Sequence, residues 1–258
     1  MNRATLVRAA VVTAFVALIV LAVRAAPAEI HWRSALARWD VFAWGLARTA
    51  AISAGALALG LVLGAFAGVA RVSRSVALDQ AALTYVELVR GTPFLVQLYI
   101  LYWCVAPTVG LTRLFGDAEQ VAVGILGLGV FAGAYIAEIV RAGVESIERG
   151  QWEAARSLGL SHAQALRHVI VPQAARRMIP PLTGEAVSLV KESSLLSAIS
   201  VAEVTRAALD LGGKELDYFA AYLPLAALYL CVTLPLSWLT RRLERRLAPP
   251  PALSVARL

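Results

Sequence analysis

Long apolar stretches broken by short charged segments set the rhythm of this chain. Residues 49–70, 91–112, 120–137 and 218–240 contain no Asp, Glu, Lys or Arg. Each run is close to the roughly 20 residues that a helix needs to cross a hydrocarbon core. A shorter apolar run lies between Arg8 and Arg24, and residues 186–202 carry only Lys191 and Glu192 as charges. These make six candidate spans in one membrane domain. Backbone in lipid must satisfy its own hydrogen bonds, which leaves helices or a closed barrel. The runs are continuously apolar rather than alternating, so the expected class is an all-α polytopic membrane protein.

The segment 151–181 breaks this rhythm. It reads QWEAARSLGLSHAQALRHVIVPQAARRMIPP, and it carries helix signals of its own. Gly150 is expected to break the preceding helix. Residues 151–158 are rich in helix formers, and Gly159 suits a C-terminal cap with positive φ. Ser161 with Gln164 three residues on has the form of a capping box. The second helix meets Pro172 and is expected to end near Pro180 and Pro181. The first helix is too short to stand alone in water. It docks either into a groove of a cytosolic partner or onto the lipid surface. Ala154 and Ala155 would let a partner come close to the backbone, and only Trp152 and Leu158 offer large apolar side chains to lipid.

Charge sets orientation. Lys and Arg favour the cytoplasmic side. With the N-terminus inside, the inner segments hold Arg3, Arg8, Arg71, Arg74, Arg90, Arg141, the arginines of 149–177 and the tail cluster Arg241, Arg242, Arg245, Arg246 and Arg257. The outer segments hold Arg24, Arg33, Arg38, Arg113, Arg206 and Lys214. The 151–181 loop is therefore expected in the cytoplasm. The net charge of +7 among 258 residues, 59% of them hydrophobic, fits cytoplasmic loops facing lipid headgroups rather than nucleic acid. Arg3 and Arg8 before a short apolar run, with Ala26-Pro27-Ala28 after it, also have the grammar of a signal peptide. An uncleaved first span is the favoured reading. Pro249, Pro250 and Pro251 stop the last helix, and the tail after them is expected to be disordered.

Small residues recur at intervals of four in the second span, at Ala56, Gly60, Gly64 and Gly68. They cluster again in the fourth, at Gly124, Gly127, Gly129 and Gly133. Such stripes admit another helix at close range, for static packing or for sliding. Cys104 and Cys231 both fall in spans and form no recognisable metal spacing.

Glu153-Ala154-Ala155, then Gly159, then Ile170-Val171-Pro172 resembles the EAA loop of the membrane subunits of ABC importers. Val171 stands where that pattern usually has leucine. The runs ELVRGTP at 87–93 with LVQL at 95–98, AYIAEIVRAG at 134–143 and SLVKESSL at 188–195 are similar to the polar amino-acid permease branch (His, Glu, Gln, Arg and opines). The likeness covers about residues 39–246. It implies a type I, MetI-like transmembrane domain of about six helices, a five-span core plus one N-terminal helix. The expected organisation is an extra helix and external linker over 1–38, the importer domain over 39–246 with its coupling loop at 150–181, and a cytoplasmic tail over 247–258.

The resemblance further implies a binding-protein-dependent permease in the bacterial inner membrane. Its partners would be an ABC ATPase, a second permease subunit (identical or not), an external solute-binding protein and a polar amino acid. Trp152, Glu153, Ala154, Ala155, Leu158 and Gly159 would then receive the ATPase. No Gly-x-x-x-x-Gly-Lys-Ser/Thr loop occurs, since Gly212-Gly213-Lys214 lacks the upstream glycine and the following hydroxyl. No catalytic residue, metal or cofactor is therefore expected on this chain, and ATP and Mg would bind the partner ATPase.

Charges within spans are costly and mark functional candidates. Arg90, Gln97, Glu138, Lys191 and Glu192 are candidates for the substrate path. Glu138 with Arg141, and Glu87 with Arg90, could instead pair locally at i,i+3. Lys191 and Glu192 point in different directions and are not expected to pair with each other. An ion-coupled secondary transporter or channel is the alternative reading, with Glu138 and Lys191 as coupling groups, but it leaves the docking loop without a purpose. A membrane enzyme has no support: His31, His162 and His168 are not spaced as ligands, and no Gly-x-Ser-x-Gly elbow occurs.

Overall fold

A computed structural model describes residues 37–215 and 217–247, with scattered positions between 7 and 24. The first apolar run and the tail beyond residue 247 lie largely outside the described residues. Helix α1 spans Trp39–Arg71. Helix α2 spans Val76–Arg90, capped by the Ser75 side chain, which accepts from the Leu78 amide. Helix α3, Phe94–Val109, follows at a bend of 101°. Then come α4, Glu119–Glu145; α5, Arg149–Ser157; α6, His162–Ala165; α7, Val171–Glu192; α8, Val204–Glu215; and α9, Tyr218–Leu247.

Among the described residues, α1, α4 with the turn before it, and α9 are long and apolar enough to cross a membrane, and the bent pair α2–α3 makes a fourth. Several expected elements differ from this arrangement. The second span starts ten residues earlier than its charge-free run, so α1 takes in Asp40 and Arg48. Its 33 residues make about 50 Å of helix at 1.5 Å per residue, longer than a hydrocarbon core and able to carry polar ends.

The third span is not a straight helix. Its middle, Ile100–Val105, is a π-helical turn, a form found mostly as single turns inside α-helices. The fifth span is not the stretch 186–202. The stretch is the end of α7 followed by a 3-10 segment, Ser193–Ile199, that stops at Ser200 with φ 63°, and α7 is not among the helices long and apolar enough to cross a membrane. Helix α7 also runs through Pro180 and Pro181 rather than ending there. Prolines are tolerated in membrane helices where other groups satisfy the freed carbonyls. The carbonyls left without a helical donor are those of Arg176 and Arg177, four residues before the prolines, while the Thr183 hydroxyl donates to the Pro180 carbonyl at 2.7 Å.

Helices α1 and α4 form the centre of the bundle. The stripe Ala56, Gly60, Gly64 and Gly68 is buried, and α4 lies directly on it. A Cβ at Gly60 would stand 2.9 Å from the Ala132 Cβ, and one at Gly68 would stand 2.5 Å from the Val140 Cβ. The apolar core on this seam joins Ile52, Leu98, Leu128, Phe131, Ile136 and Leu196. Phe131 stacks obliquely with both Phe94 and Tyr135, each at 5.0 Å between centroids.

The end of the bundle remote from the loop carries a polar knot with no sequence signal. Glu203 is fully buried. Its Oε1 accepts from the Arg206 amide at 2.8 Å, so it caps the first turn of α8. Its Oε2 accepts from the Thr49 hydroxyl at 3.3 Å and from the Tyr229 hydroxyl at 3.4 Å. Thr49 in turn accepts from the Val204 amide at 3.2 Å. A single carboxyl group thus ties α1, α8 and α9. Gly45 makes room for this, since a Cβ there would lie 2.8 Å from the Val204 Cα. Glu203→Ala leaves three donors without their acceptor. It is expected to destabilise the protein by about 1–3 kcal/mol, and Glu203→Gln by less, read as thermal unfolding of the detergent-solubilised protein.

Candidate functional site

The loop between α4 and α7 is a folded platform. Helix α4 closes with the Ser146 hydroxyl donating to the Gly143 carbonyl at 2.7 Å. Glu148 is the N-cap residue of α5, so Gly150 sits in the first turn of that helix and does not break the preceding one. Amides in a first turn have no helical acceptor, so glycine costs little there.

The end of α5 forms as its sequence implies. Gly159 has φ 75°, its amide donates to the Arg156 carbonyl at 2.9 Å, and the Leu160 amide donates to the Ala155 carbonyl at 3.2 Å. This is the Schellman pairing. The capping box is also present: the Ser161 amide donates to Gln164 Oε1 at 2.9 Å, and the Gln164 amide donates to Ser161 Oγ at 3.3 Å. A π turn, Leu166–Ile170, then leads into α7. It places Pro172 in the first turn of α7, where its missing N–H matters least.

One face of α5 is anchored. Ala155 is buried, and Trp152 stacks on His162 at 5.0 Å and 14°. Trp152 and Leu166 pack against a small core of Val144, Ile147, Ile170, Ala174 and Met178. Gln173 donates to Gln151 Oε1 at 3.0 Å, and Arg177 donates to the Ser146 carbonyl. Burial, with Arg74 and Arg156 nearby, holds the His162 imidazole below its ordinary pKa, so the ring stacked on Trp152 is neutral near pH 7. The opposite face is free. Glu153, Ala154 and Ser157 are exposed, and Leu158 is 80% exposed. An exposed leucine beside a small alanine, on a helix held from behind, is a surface shaped for a groove.

The polar and charged candidates in the membrane domain separate into two groups. Gln97 donates its amide nitrogen to the carbonyls of Val89 (2.6 Å) and Thr92 (2.9 Å) and to the Thr92 hydroxyl (2.8 Å). It is the clip that holds the α2–α3 bend. Glu138 accepts from Arg141 Nε at 3.0 Å, and Arg141 also pairs with Glu145, so local pairing holds for Glu138. Lys191 is exposed.

Arg90 and Glu192 are different. Arg90 makes no ion pair with Glu87 among the described residues, and its guanidinium lies 5.0 Å from the Tyr135 ring centroid. Glu192 Oε2 is buried without a hydrogen-bond partner. Glu185, half-buried on α7, lies on nearly the same face of that helix as Glu192, seven residues on. Glu185 carries little sequence signal because residues 182–185 precede the charge-poor run. The signal available was its seven-residue spacing from Glu192. No group of His, Cys, Asp and Glu able to hold a metal occurs among the described residues.

Residues 60–249 match the family model described as binding-protein-dependent transport system inner membrane component. The chain is 40% identical over 185 residues to the probable amino-acid ABC transporter permease protein YckA of Bacillus subtilis (strain 168), covering 72% of this chain and 79% of that one. It is 37% identical over 203 residues to the glutamine transport system permease protein GlnP of Escherichia coli (strain K12), covering 79% and 91%. A solved amino acid ABC transporter with histidines superposes with a TM-score of 0.76 at 35% identity, over 85% of this chain and all of that one. The MetNI methionine ABC transporter in an inward-facing form shares the fold, with a TM-score of 0.68 at 21% identity over 82% of this chain and 98% of that one.

Proposed function

The chain belongs to the family of binding-protein-dependent transport system inner membrane components and is an ABC importer permease, and from that premise we propose that it moves a polar amino acid across the bacterial inner membrane by alternating access. The relatives that handle glutamine and the solved relative with histidines support the substrate class. ATP is hydrolysed on a separate ATPase subunit, where ATP and Mg bind. A second permease subunit and an external solute-binding protein complete the importer. The permease itself binds no cofactor and performs no catalysis.

The observation that carries this reading is α5. Its inner face is fastened to α4 and α7 through Ala155 and Trp152, and its outer face offers Glu153, Ala154 and Leu158. A push on the outer face therefore moves α4 and α7 together as near-rigid bodies. The residues for docking are Trp152, Glu153, Ala154, Ala155, Leu158 and Gly159, with Trp152 and Ala155 acting from behind as the anchor.

Glu153→Lys reverses a charge on the docking face without touching the anchor. In proteoliposomes holding the complete importer, it is expected to lower ATP-driven amino-acid uptake at least tenfold while the permease stays inserted. Unchanged uptake refutes the docking role. Uptake by the permease alone, driven by an ion gradient, would favour a secondary transporter instead.

A further inference from the structure

We propose that the C-terminal end of α9 binds the anionic headgroups of inner-leaflet phospholipids through Arg241, Arg242, Arg245 and Arg246. The inference needs only that α9 spans the membrane with this end inside. It goes beyond the transport reading and does not depend on which amino acid is carried.

Helix α9 lies at the outside of the bundle. The protein buries 17% of its most apolar stretch, against 33% in α1 and 56% in α4 with the turn before it. Over the last five turns its two sides differ. Leu230, Leu234 and Trp238 are 54%, 57% and 50% exposed, and all three lie within about 60° of Arg241 around the helix. Val232, Leu236, Leu243 and Leu247 are half-buried and lie about 180–240° from it. The first side is a lipid-facing stripe and the second is the packed side.

The four arginines continue that stripe. At 3.6 residues per turn they fall at about 0°, 40°, 100° and 140° in the order Arg241, Arg245, Arg242 and Arg246. All four are exposed. Glu244 stands outside the arc, about 60° beyond Arg241. None of the four pairs with a carboxylate among the described residues. Two are steered by the helix itself: Arg245 Nε donates to the Arg241 carbonyl at 3.2 Å, and the Arg242 guanidinium lies 5.1 Å from the Trp238 ring centroid. The remaining guanidinium donors are open to an anion.

Depth selects the partner. Counted from Tyr218, about 20 residues cross the hydrocarbon core, which brings Trp238 to its inner boundary, the level tryptophan prefers. The arginines follow about 5–12 Å further along the axis, in the headgroup layer. Their apolar stems can lie back along the stripe while the guanidinium groups meet lipid phosphates. A basic arc immediately beyond a span is complementary to an anionic leaflet. A second copy of this chain packed on the arc would set arginine against arginine across a two-fold axis. A soluble subunit would have to enter the headgroup layer, whereas the docking face of α5 is a separate element that offers Glu153 and Leu158 to such a partner.

The test measures lipid selectivity on the full-length permease in phosphatidylcholine vesicles. Trace spin-labelled phosphatidylglycerol or phosphatidylcholine is added, and electron spin resonance reads the fraction immobilised by the protein. Wild type is expected to prefer phosphatidylglycerol about threefold or more, with the preference shrinking in high salt. Replacing all four arginines by Gln should bring the preference close to one, and replacing all four by Lys should keep most of it. No preference in wild type overturns the proposal, as does an unchanged preference in the Gln variant. Loss of ATPase-subunit binding in the Gln variant with lipid preference intact would assign the arc to a protein partner instead. If the fourfold Gln variant does not fold, the Arg241→Gln/Arg242→Gln and Arg245→Gln/Arg246→Gln pairs should each lower the preference, and an unchanged value in both overturns the proposal. If neither pair folds, the wild-type preference and its salt dependence decide.

Discussion

Gly64→Leu is expected to remove most of the folded permease from the membrane. Gly64 lies in the α1–α4 seam, where even a Cβ would stand 2.5 Å from Ile136 Cβ and Cγ2 and 2.8 Å from the Gly133 carbonyl oxygen. Ile136 is branched at that atom and cannot turn away, and a backbone carbonyl in a helix cannot move alone. The helices must separate. Separation also opens the contacts at Gly60 and Gly68, one turn to either side. Overpacking in a well-filled core costs about 1–3 kcal/mol, and a membrane interface has no hydrophobic drive between helices to offset it. The measurement is the yield of monodisperse protein and its thermal midpoint, with Gly213→Leu as the control. A Cβ at Gly213 meets nothing within 4 Å, so that variant should behave as wild type. A wild-type midpoint for Gly64→Leu would mean that the seam is loose enough for α1 and α4 to slide.

Gly159→Val is expected to separate ATP hydrolysis from transport. A Cβ at Gly159 would meet nothing within 4 Å, so crowding is not the issue; its φ of 75° is. A left-handed backbone costs an L-residue about 1–2 kcal/mol, and branching at Cβ makes it worse. Valine therefore pulls the turn out of this conformation, breaks the Gly159–Arg156 and Leu160–Ala155 hydrogen bonds and frees the end of α5. The spans are untouched, so insertion should be normal. Uptake should fall more than tenfold while the assembled complex continues to hydrolyse ATP. Asparagine tolerates the left-handed region, so Gly159→Asn should keep most of the uptake. Normal uptake with valine would remove the coupling role from this helix end.

Much of this was readable from local chemistry. A capping box and a glycine turn are short-range devices, and both formed at Ser161–Gln164 and Gly159. The four-residue stripe in α1 announced close helix packing for the same reason, because the period of a helix is fixed by its own backbone. Other features depended on partners distant in sequence. Glu203 reads as an ordinary polar residue after a serine-rich stretch, yet Thr49 and Tyr229 come from 154 and 26 residues away to bury it. Pro180 and Pro181 read as a helix end, but α7 passes through them.

The sequence by itself determined the helical class, the membrane setting and the existence of a structured loop between spans. Each of these follows from composition, period and backbone sterics over one or two turns. Tertiary structure decided which charges are spent and which remain. Glu138 found Arg141 one turn away, Gln97 closed the α2–α3 bend, and the Glu192 Oε2 atom was buried without a hydrogen-bond partner. Compensation of a charge is a property of its neighbours in space, and only the packed bundle assigns those neighbours.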